Sequence, residues 1–231
     1  MGDDSQEENT LARAALYIDG FNLYHAVNDI GLPYLKWCNF WKLASILIPK
    51  RDERLVRVVF CTAYYPGDHS KKVRHKRLVD ALALQEVETI LGHFSKEEMG
   101  CNRCDHIWDK PTEKASDINL ALSLYDDAAQ NNVDTFYLLT ADTDQAATAA
   151  FMLRRFPDKK LVSVSPPGRS HSQHILSHTD HKIALSQEHI ERSLFPKLVM
   201  SPGKASVLRP FEYDPPENYV FFDDRPKREK R

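Results

Sequence analysis

The stretch that decides the fold is AALYIDGFN, residues 14–22. Its first five residues form a short apolar run, which is typical of a strand buried within a parallel sheet. Asp19 ends this run, Gly20 permits a sharp turn, and a helix is predicted from Asn22 to Ile30. Because ligands bind at the carboxyl ends of the strands in an open α/β sheet, Asp19 is predicted to lie at a binding site.

Strand-like and helix-like segments alternate along most of the chain. This alternation favours an α/β fold, with a mostly parallel central sheet covered by helices on both faces. The clearest strand is a run rich in β-branched residues. The predicted strands cover residues 14–18, 55–63, 135–140 and 160–165, and the predicted helices cover residues 22–30, 40–48, 69–86, 117–131 and 144–156.

Carboxylates occur in three segments that are far apart in sequence. They are Asp19, Asp117, and the pair Asp142 and Asp144. Four acids brought to one crevice would repel each other unless a cation lay among them. Carboxylate oxygens are hard ligands that suit Mg²⁺ or Mn²⁺. The alternative is that these acids cap helices, since Asp19, Asp117 and Asp144 are each near a predicted helix start.

The composition indicates one ordinary domain with tails. The 231 residues are 42% hydrophobic and carry a formal net charge of -2, so any affinity for nucleic acid must come from local patches. We expect a flexible acidic tail at residues 1–11, a domain at 12–200 with a cysteine-containing insertion at 95–114, and an extended, proline-rich, basic tail at 201–231. The acidic N-terminus is unlike a signal peptide, and no apolar run reaches about 18 residues. These features predict a cytoplasmic protein without a membrane partner.

Three motifs occur in a fixed order. They are Ile18-Asp19-Gly20-Phe21-Asn22, then Lys114 followed by Asp117-Ile118-Asn119, and then Thr140-Ala141-Asp142-Thr143-Asp144. Together they resemble the NYN domain family, also called the LabA-like or DUF88 group, of the PIN-like nucleases. The resemblance covers roughly residues 14–195 and implies a Rossmann-like PIN fold with a metal-dependent ribonuclease site. One departure is visible, because the family commonly has Ser-Gly-Asp-Ser-Asp where this chain has Thr-Ala-Asp-Thr-Asp.

The resemblance implies roles for the polar residues of these motifs. The acids would hold Mg²⁺ or Mn²⁺ directly or through water, and the amide and hydroxyl side chains would hydrogen-bond the carboxylates or a phosphate. The expected metal ligands are Asp19, Asp117, Asp142 and Asp144, and the expected catalytic set adds Asn22 and Thr140.

Basic residues offer candidate contacts to RNA. Residues 71–77 carry five formal positive charges, and at a helix start these charges oppose the macrodipole, so capping does not explain them. Phosphate contact is one explanation, and a solvated helix face is the other. Lys114 has the further alternative of a plain ion pair. The expected substrate-binding residues are Lys72, Arg74, Arg77, Lys114 and Arg169.

Two cysteines and a histidine lie close together in the 95–114 segment. Cys101 and Cys104 have the spacing Cys-x-x-Cys, and His106 follows. Such residues suit a structural Zn²⁺ site, and His93 upstream is a further candidate ligand. A hairpin with reduced thiols is the alternative, because the spacing is irregular and no second cysteine pair is present.

Three hypotheses for the function remain open. The first is a metal-dependent ribonuclease whose partner is RNA, and the resemblance leaves a homodimer open. The second is a non-catalytic domain that binds RNA or a protein in a regulatory role. The third is an enzyme acting on a small aromatic molecule, since aromatic residues near the first acid could hold a flat ligand. These aromatic residues are Phe21, Tyr24, Tyr34, Trp37 and Trp41.

Overall fold

The chain folds around a parallel β-sheet. The computed structural model describes residues 11–104 and 106–224. The strands in these ranges are β1 (Ala12–Asp19), β2 (Glu53–Thr62), β3 (Glu88–Leu91), β4 (His93–Gly100), β5 (Ile107–Lys114), β6 (Thr135–Leu139), β7 (Lys160–Ser165), β8 (His181–Ala184), β9 (Leu198–Val199) and β10 (Val207–Leu208).

Helices connect most of the strands of the sheet. The α-helices are α1 (Gly20–Asp29), α2 (Phe40–Leu47), α3 (His69–Ala83), α4 (Ser116–Ala129), α5 (Ala146–Arg155), α6 (Gln173–Leu176) and α7 (Gln187–Glu191), and 3-10 turns cover Pro33–Lys36, Thr143–Gln145, Phe211–Tyr213 and Phe222–Asp224. None of the helices in the described ranges combines the length and the apolar character that crossing a bilayer requires.

Six strands form the central sheet in the order β3-β2-β1-β6-β7-β8, and every neighbouring pair is parallel. The middle strands β1 and β6 are buried along most of their length, which explains their nearly continuous apolar sequences. From β1 the chain moves outward to β2 and β3, and it later returns to place β6 on the other side of β1. The strand order therefore reverses between β1 and β6. The crevice at the carboxyl ends of these two strands is where such a sheet binds ligands.

The central sheet separates two apolar layers. On one face, Leu16 and Ile18 of β1 pack with residues of α1, α2 and α3, among them Leu43. On the other face, Tyr17 packs with residues of α4 and α5, among them Leu120. The three-layer α/β/α arrangement predicted from the sequence is confirmed.

The turn after β1 requires glycine. A Cβ atom on Gly20 would lie 2.5 Å from the carbonyl oxygen of Cys61 in the neighbouring strand β2. Helix α1 starts at Gly20 itself, two residues before its predicted start, and Asp19 is its N-cap. The acid is therefore fixed at the junction between the strand and the helix.

An antiparallel hairpin of β4 and β5 separates β3 from α4. It contains the cysteine-bearing segment 95–114. After the hairpin, Ala115 adopts a φ of 78°, a left-handed conformation that is uncommon for alanine. Helix α4 then begins at Ser116, one residue before its predicted start, and its N-cap is Ala115. This turn determines where Asp117, in the first turn of α4, is placed.

The segment after residue 200 contacts the domain along much of its described length. Strand β10 pairs with β9, the ring of Tyr219 lies 4.9 Å from the ring of Tyr34, and Glu212 accepts a hydrogen bond from Arg74 at 2.8 Å. Tyr213 and Tyr219 pack against the apolar core, so the segment is irregular in conformation but packed against the domain. Residues 1–10 and 225–231 of the two predicted tails lie outside the described residues.

Helix α4 turns an apolar stripe toward solvent. Helical spacing places Ile118, Leu122 and Tyr125 on one face, and all three are exposed. The opposite face packs against the sheet, and it includes the fully buried Asp127. This carboxylate accepts hydrogen bonds of 2.5 Å from the Tyr17 hydroxyl and the Arg57 guanidinium, which lie on β1 and β2. The buried face of α4 thus combines apolar packing by Leu120 and Leu124 with the hydrogen-bonded Asp127.

Replacing Asp127 with alanine is expected to lower the free energy of unfolding by about 3 kcal/mol, since it breaks a buried ion pair and leaves the Tyr17 hydroxyl without its acceptor. Urea unfolding followed by circular dichroism measures the change. The matched control is Asp126→Ala, which removes an exposed carboxylate that accepts a hydrogen bond from Gln130, and it is expected to change the stability by less than about 0.5 kcal/mol. Equal losses in the two variants would contradict the assignment.

His75 on α3 is expected to lower the free energy of unfolding as the pH decreases. Its imidazole lies 3.3 Å from the Thr62 hydroxyl and against the rings of Phe60 and Tyr64, and burial lowers its pKa to about 4. The unfolded chain has the ordinary pKa of about 6.5 for this group, so it binds the proton more tightly than the folded state does. The contribution of neutral His75 is therefore complete above pH 6.5 and is lost as the pH falls toward 4.

A variant without this imidazole separates the effect from that of other titrating groups. Between pH 7 and pH 4.5, the free energy of unfolding of His75→Leu should fall less steeply than that of the wild type, by about 1–3 kcal/mol in total. Urea titrations at several pH values give both curves. Parallel curves would show that His75 is not held neutral in the folded protein.

Candidate metal centre

Three aspartates meet at the carboxyl edge of the sheet. Asp19 ends β1, Asp142 follows β6, and Asp117 lies in the first turn of α4. One carboxylate oxygen from each of these residues lies within 4.8 Å of those of the other two. The structure thus brings together three of the four acids expected as ligands.

The fourth acid, Asp144, lies beside this group. It is exposed, and its backbone N–H donates to the carboxylate of Asp142 at 3.0 Å. Its charge contributes to the raised pKa of Asp117, so it belongs to the same acidic surface. It is not among the three residues whose oxygens converge.

Two polar side chains hold the ends of β1 and β6 together. The Thr140 hydroxyl donates to Asp19 at 2.8 Å and accepts from the backbone N–H of Asp142 at 3.0 Å. The Asn22 side-chain carbonyl accepts from the backbone N–H of Ala141 at 3.1 Å. Both residues were expected to hydrogen-bond carboxylates or phosphate. In the structure, Thr140 binds a carboxylate and Asn22 holds the loop that carries Asp142.

Asp19 is the buried member of the group, with 5% of its surface exposed. Its pKa is raised to about 6, mainly by burial. Hydrogen bonds from the Asn22 backbone N–H and the Thr140 hydroxyl oppose this rise, and the negative charges of Asp117 and Asp142 add to it. The strand order forces this repulsion, because it brings the segments that carry the acids to one edge.

Two residues that the sequence analysis did not select support Asp117. Loss of water around its carboxyl group, followed by the charges of Asp142 and Glu113, raises the pKa of Asp117. Glu113 accepts a hydrogen bond from the backbone N–H of Ser116 at 3.0 Å, which holds the turn before α4. Buried Gln145 donates to the backbone carbonyl of Asp117 at 3.3 Å. The sequence offered one signal for each of them. Glu113 is an acid three residues before a helix start, and Gln145 is an amide directly after the Asp142 motif.

The donor set fits a hard divalent cation. Three carboxylates supply oxygen ligands, which are the ligands that Mg²⁺ and Mn²⁺ prefer. Burial is the main cause of the raised pKa of Asp19, and a cation at this position would offset the repulsion that adds to it. Lys114 does not take this role, because its ammonium group lies 2.6 Å from Glu97. Asp19, Asp117 and Asp142 are the residues that would hold the ion.

The five predicted basic residues have different surroundings. Lys72, Arg74 and Arg77 lie on α3, the helix that follows β2 at this edge of the sheet. Arg74 is paired with Glu212, and Arg169 is paired with Asp29 at the end of α1. Arg77 is exposed.

The five aromatic residues suggested as a ligand-binding surface do not form one beside Asp19. Trp37 and Tyr34 belong to the apolar core, and Trp41 packs against that core. Phe21 instead contacts Phe94 at the base of the hairpin, at a ring distance of 5.9 Å. Phe94 in turn contacts Tyr65 at 5.5 Å. The aromatic cluster near the first acid therefore consists of Phe21, Phe94 and the half-exposed Tyr65.

The described residues contain no disulfide, and all four cysteines are free thiols. Cys38 and Cys61 are buried, whereas Cys101 and Cys104 lie at the tip of the hairpin. His106 stacks on Trp108 with a ring distance of 5.9 Å. His93 lies at the base of the hairpin opposite Lys114, so it is remote from the two cysteines.

The family model of the NYN domain matches residues 13–183 of this chain, which is most of its length. The chain belongs to the NYN family. That family is part of the PIN-like nuclease superfamily, and the acids of all three family motifs lie on the acidic surface described above. The resemblance inferred from the motifs is confirmed.

Two further comparisons place the chain among known proteins. It is 25% identical over 241 residues to the 6-hydroxy-3-succinoylpyridine 3-monooxygenase of Pseudomonas putida, and the match covers 86% of this chain and 74% of that protein. Its structure is similar to a crystal structure of a protein of unknown function from Vibrio parahaemolyticus, with a TM-score of 0.52 and 18% identity over 84% of this chain and 100% of the other. The structural similarity shows the fold alone.

The hydroxyl of Thr140 is expected to be necessary for cation binding. Thr140→Val keeps the shape of the side chain but removes the donor to Asp19 and the acceptor for the Asp142 amide, so Mn²⁺ affinity should fall about 10–100-fold. Calorimetric titration of metal-free protein with Mn²⁺ measures this affinity. Thr140→Ser keeps the hydroxyl and should retain affinity close to that of the wild type. If valine and serine bind Mn²⁺ equally well, the hydroxyl does not position the ligands.

Proposed function

We propose that this protein is a ribonuclease that hydrolyses RNA phosphodiesters with the help of Mg²⁺ or Mn²⁺. The observation that carries the proposal is the convergence of Asp19, Asp117 and Asp142 at the point where the strand order reverses. Membership of the NYN family supports the same conclusion. An organic cofactor is not required, because the proposed reaction is a hydrolysis.

The residues of the site have distinct roles in this proposal. A cation held by the three aspartates would neutralise charge on the phosphate and activate a water molecule. Thr140 and Asn22 keep the two strand ends at a fixed separation, so the carboxylates need little rearrangement when substrate arrives. Asp144, which is exposed beside Asp142, would orient the attacking water by hydrogen bonding.

The surroundings of the site offer contacts for a nucleic-acid chain. Basic residues of α3, including Lys72 and Arg77, are suited to phosphate groups, whose negative charge dominates the affinity of such complexes. Tyr65 is 39% exposed within the aromatic cluster, and its ring is available for stacking against a base. These contacts depend little on sequence, so we expect cleavage without strong sequence preference.

The relative from Pseudomonas is named for oxidation of a pyridine derivative. At 25% identity its name does not assign that reaction to this chain. Of the aromatic residues that could hold a flat substrate, Tyr34 and Trp37 are buried in the core, whereas Tyr24 is exposed. They therefore do not form one pocket, which weakens the small-molecule hypothesis. A binding protein without activity is separated from a nuclease by the following experiment.

A labelled, structured RNA incubated with metal-stripped protein should be cleaved only after Mn²⁺ or Mg²⁺ is added. Asp19→Asn and Asp142→Asn keep the size of the side chains but remove the charged ligands, so the cleavage rate should fall at least about 100-fold. Gel separation of the products over time gives the rate. Filter binding of the same RNA shows whether the variants still bind it.

The matched control is Asp126→Asn, which makes the same change at an exposed acid of α4 outside the three converging residues. It should cleave at the rate of the wild type. Cleavage that survives in Asp19→Asn and Asp142→Asn would refute the proposed site. Normal RNA binding without cleavage by the metal-loaded wild type would favour the regulatory role.

A further inference from the structure

The tip of the β4–β5 hairpin places a histidine opposite a cysteine. Gly100 is paired with Ile107 in the antiparallel register, and the next backbone hydrogen bond runs from the Cys101 N–H to the His106 carbonyl at 2.9 Å. Residues that face each other across antiparallel strands have side chains on the same face, with Cβ atoms about 5 Å apart. Cys101 and His106 therefore share one face of the hairpin at its tip.

Cys101 and Cys104 are the two ends of a tight backbone turn. The Cys104 N–H donates to the Cys101 carbonyl at 3.3 Å, which closes the Cys-x-x-Cys loop. Hydrogen bonding from the backbone of Arg103, and from the thiol and backbone of Cys104, lowers the pKa of the Cys101 thiol. A lower pKa favours the thiolate, which is the form of cysteine that binds metals.

Both cysteines are accessible from solvent. Cys104 is exposed and Cys101 is partly exposed, in contrast to the buried Cys38 and Cys61. Burial raises the pKa of the Cys61 thiol to about 12, so this cysteine remains a thiol. The reactive sulfur of the described chain is therefore concentrated at the hairpin tip.

We propose that Cys101, Cys104 and His106 form a binding site for one thiophilic divalent cation per chain, of the Zn²⁺ class. Two sulfurs and one imidazole nitrogen are ligands that Zn²⁺ accepts in tetrahedral geometry, and water would take the fourth position. His93 is excluded as a ligand, because β4 separates it from Cys101 by the length of a strand, roughly 25 Å.

The ligand atoms of Cys101, Cys104 and His106 do not converge in this structure, so the site requires a side-chain movement. The His106 ring lies on Trp108, nearly parallel to it at an interplanar angle of 16°. Binding requires the imidazole to leave this stack and turn toward the sulfurs on the same face. Trp108 is 42% exposed, so loss of the stacked ring changes its surroundings. The fluorescence of Trp108 should therefore report occupancy of the site.

The hairpin site and the aspartate centre prefer different ions. Carboxylates select hard cations such as Mg²⁺, whereas thiolates select softer ones. A cation at the tip would fix the hairpin turn, and the base of the same hairpin contacts Phe21 two residues after Asp19. The proposal does not depend on ribonuclease activity.

Reduced, metal-stripped protein titrated with Co²⁺ tests the site, because sulfur-ligated Co²⁺ gives a charge-transfer absorption that carboxylate-bound Co²⁺ does not. We expect this band to saturate at one ion per chain and to be displaced by Zn²⁺. It should remain in Asp142→Asn, which alters the other centre, and in Cys38→Ser, which removes a buried thiol. It should be lost in Cys101→Ser and in Cys104→Ser.

The role of His106 has its own readout. His106→Ala should weaken Co²⁺ binding at least about tenfold, since even residues that only support a ligand contribute that much. Zn²⁺ should change the tryptophan fluorescence of the wild type but not of Trp108→Phe, which should still bind Co²⁺. Both variants are at the exposed hairpin tip, and circular dichroism checks that they fold.

Several outcomes would overturn the proposal. A reduced protein that shows no charge-transfer band does not bind metal through these cysteines, and a disulfide between Cys101 and Cys104 in the protein as isolated would then indicate a redox pair. Saturation at one ion per two chains would mean that a second copy supplies ligands. Unchanged affinity in His106→Ala would remove the histidine from the site.

Discussion

The hydrogen bond from the Thr140 hydroxyl to the Asp19 carboxylate joins the ends of β1 and β6, between which the strand order reverses. β1 belongs to the half of the sheet that grows toward β3, and β6 begins the half that grows toward β8. Thr140 is buried, with 1% of its surface exposed, so this bond lies out of reach of water. The positions of Asp142 and of the loop after β6 follow from it, because the same hydroxyl accepts the Asp142 amide.

Helix capping and ligand binding need not be alternatives for these acids. Asp19 caps α1 with one carboxylate oxygen and accepts from Thr140 with the other. Asp142 likewise caps the 3-10 turn that follows it. The capping bonds hold each carboxylate in one orientation, which is what a preorganised ligand requires. Parallel strands that end at helix starts thus produce rigid acids without any additional structure.

The sequence predicts the architecture because the strands of the central sheet are short apolar runs, and such runs have few other stable arrangements. It also places Asp19 and Asp142 at one edge, since each follows a buried strand. The convergence of Asp117 with them could not be deduced locally, because it depends on the left-handed turn at Ala115. The resemblance to a family supplied that position instead.

Other features escaped prediction because distant partners decide them. In α4 the apolar residues Ile118, Leu122 and Tyr125 are exposed. The opposite face packs on the sheet through Leu120, Leu124 and the hydrogen-bonded Asp127. Glu113 and Gln145 act on the turn and the helix start that carry Asp117, and neither stands out by residue type. The proline-rich end of the chain looks solvated in sequence, yet Tyr219 reaches the core.

The separation of the three acids along the chain affects when the acidic centre can form during protein synthesis. Thr140 and Asp19 are 121 residues apart, and β6 must dock beside β1 before the third carboxylate joins the other two. Domains form during synthesis from the N-terminus onward. A growing chain that ends before β6 carries Asp19 and Asp117 without Asp142, so its acidic centre is incomplete. The order of the strands thus delays assembly of the centre until more than half of the protein has been made.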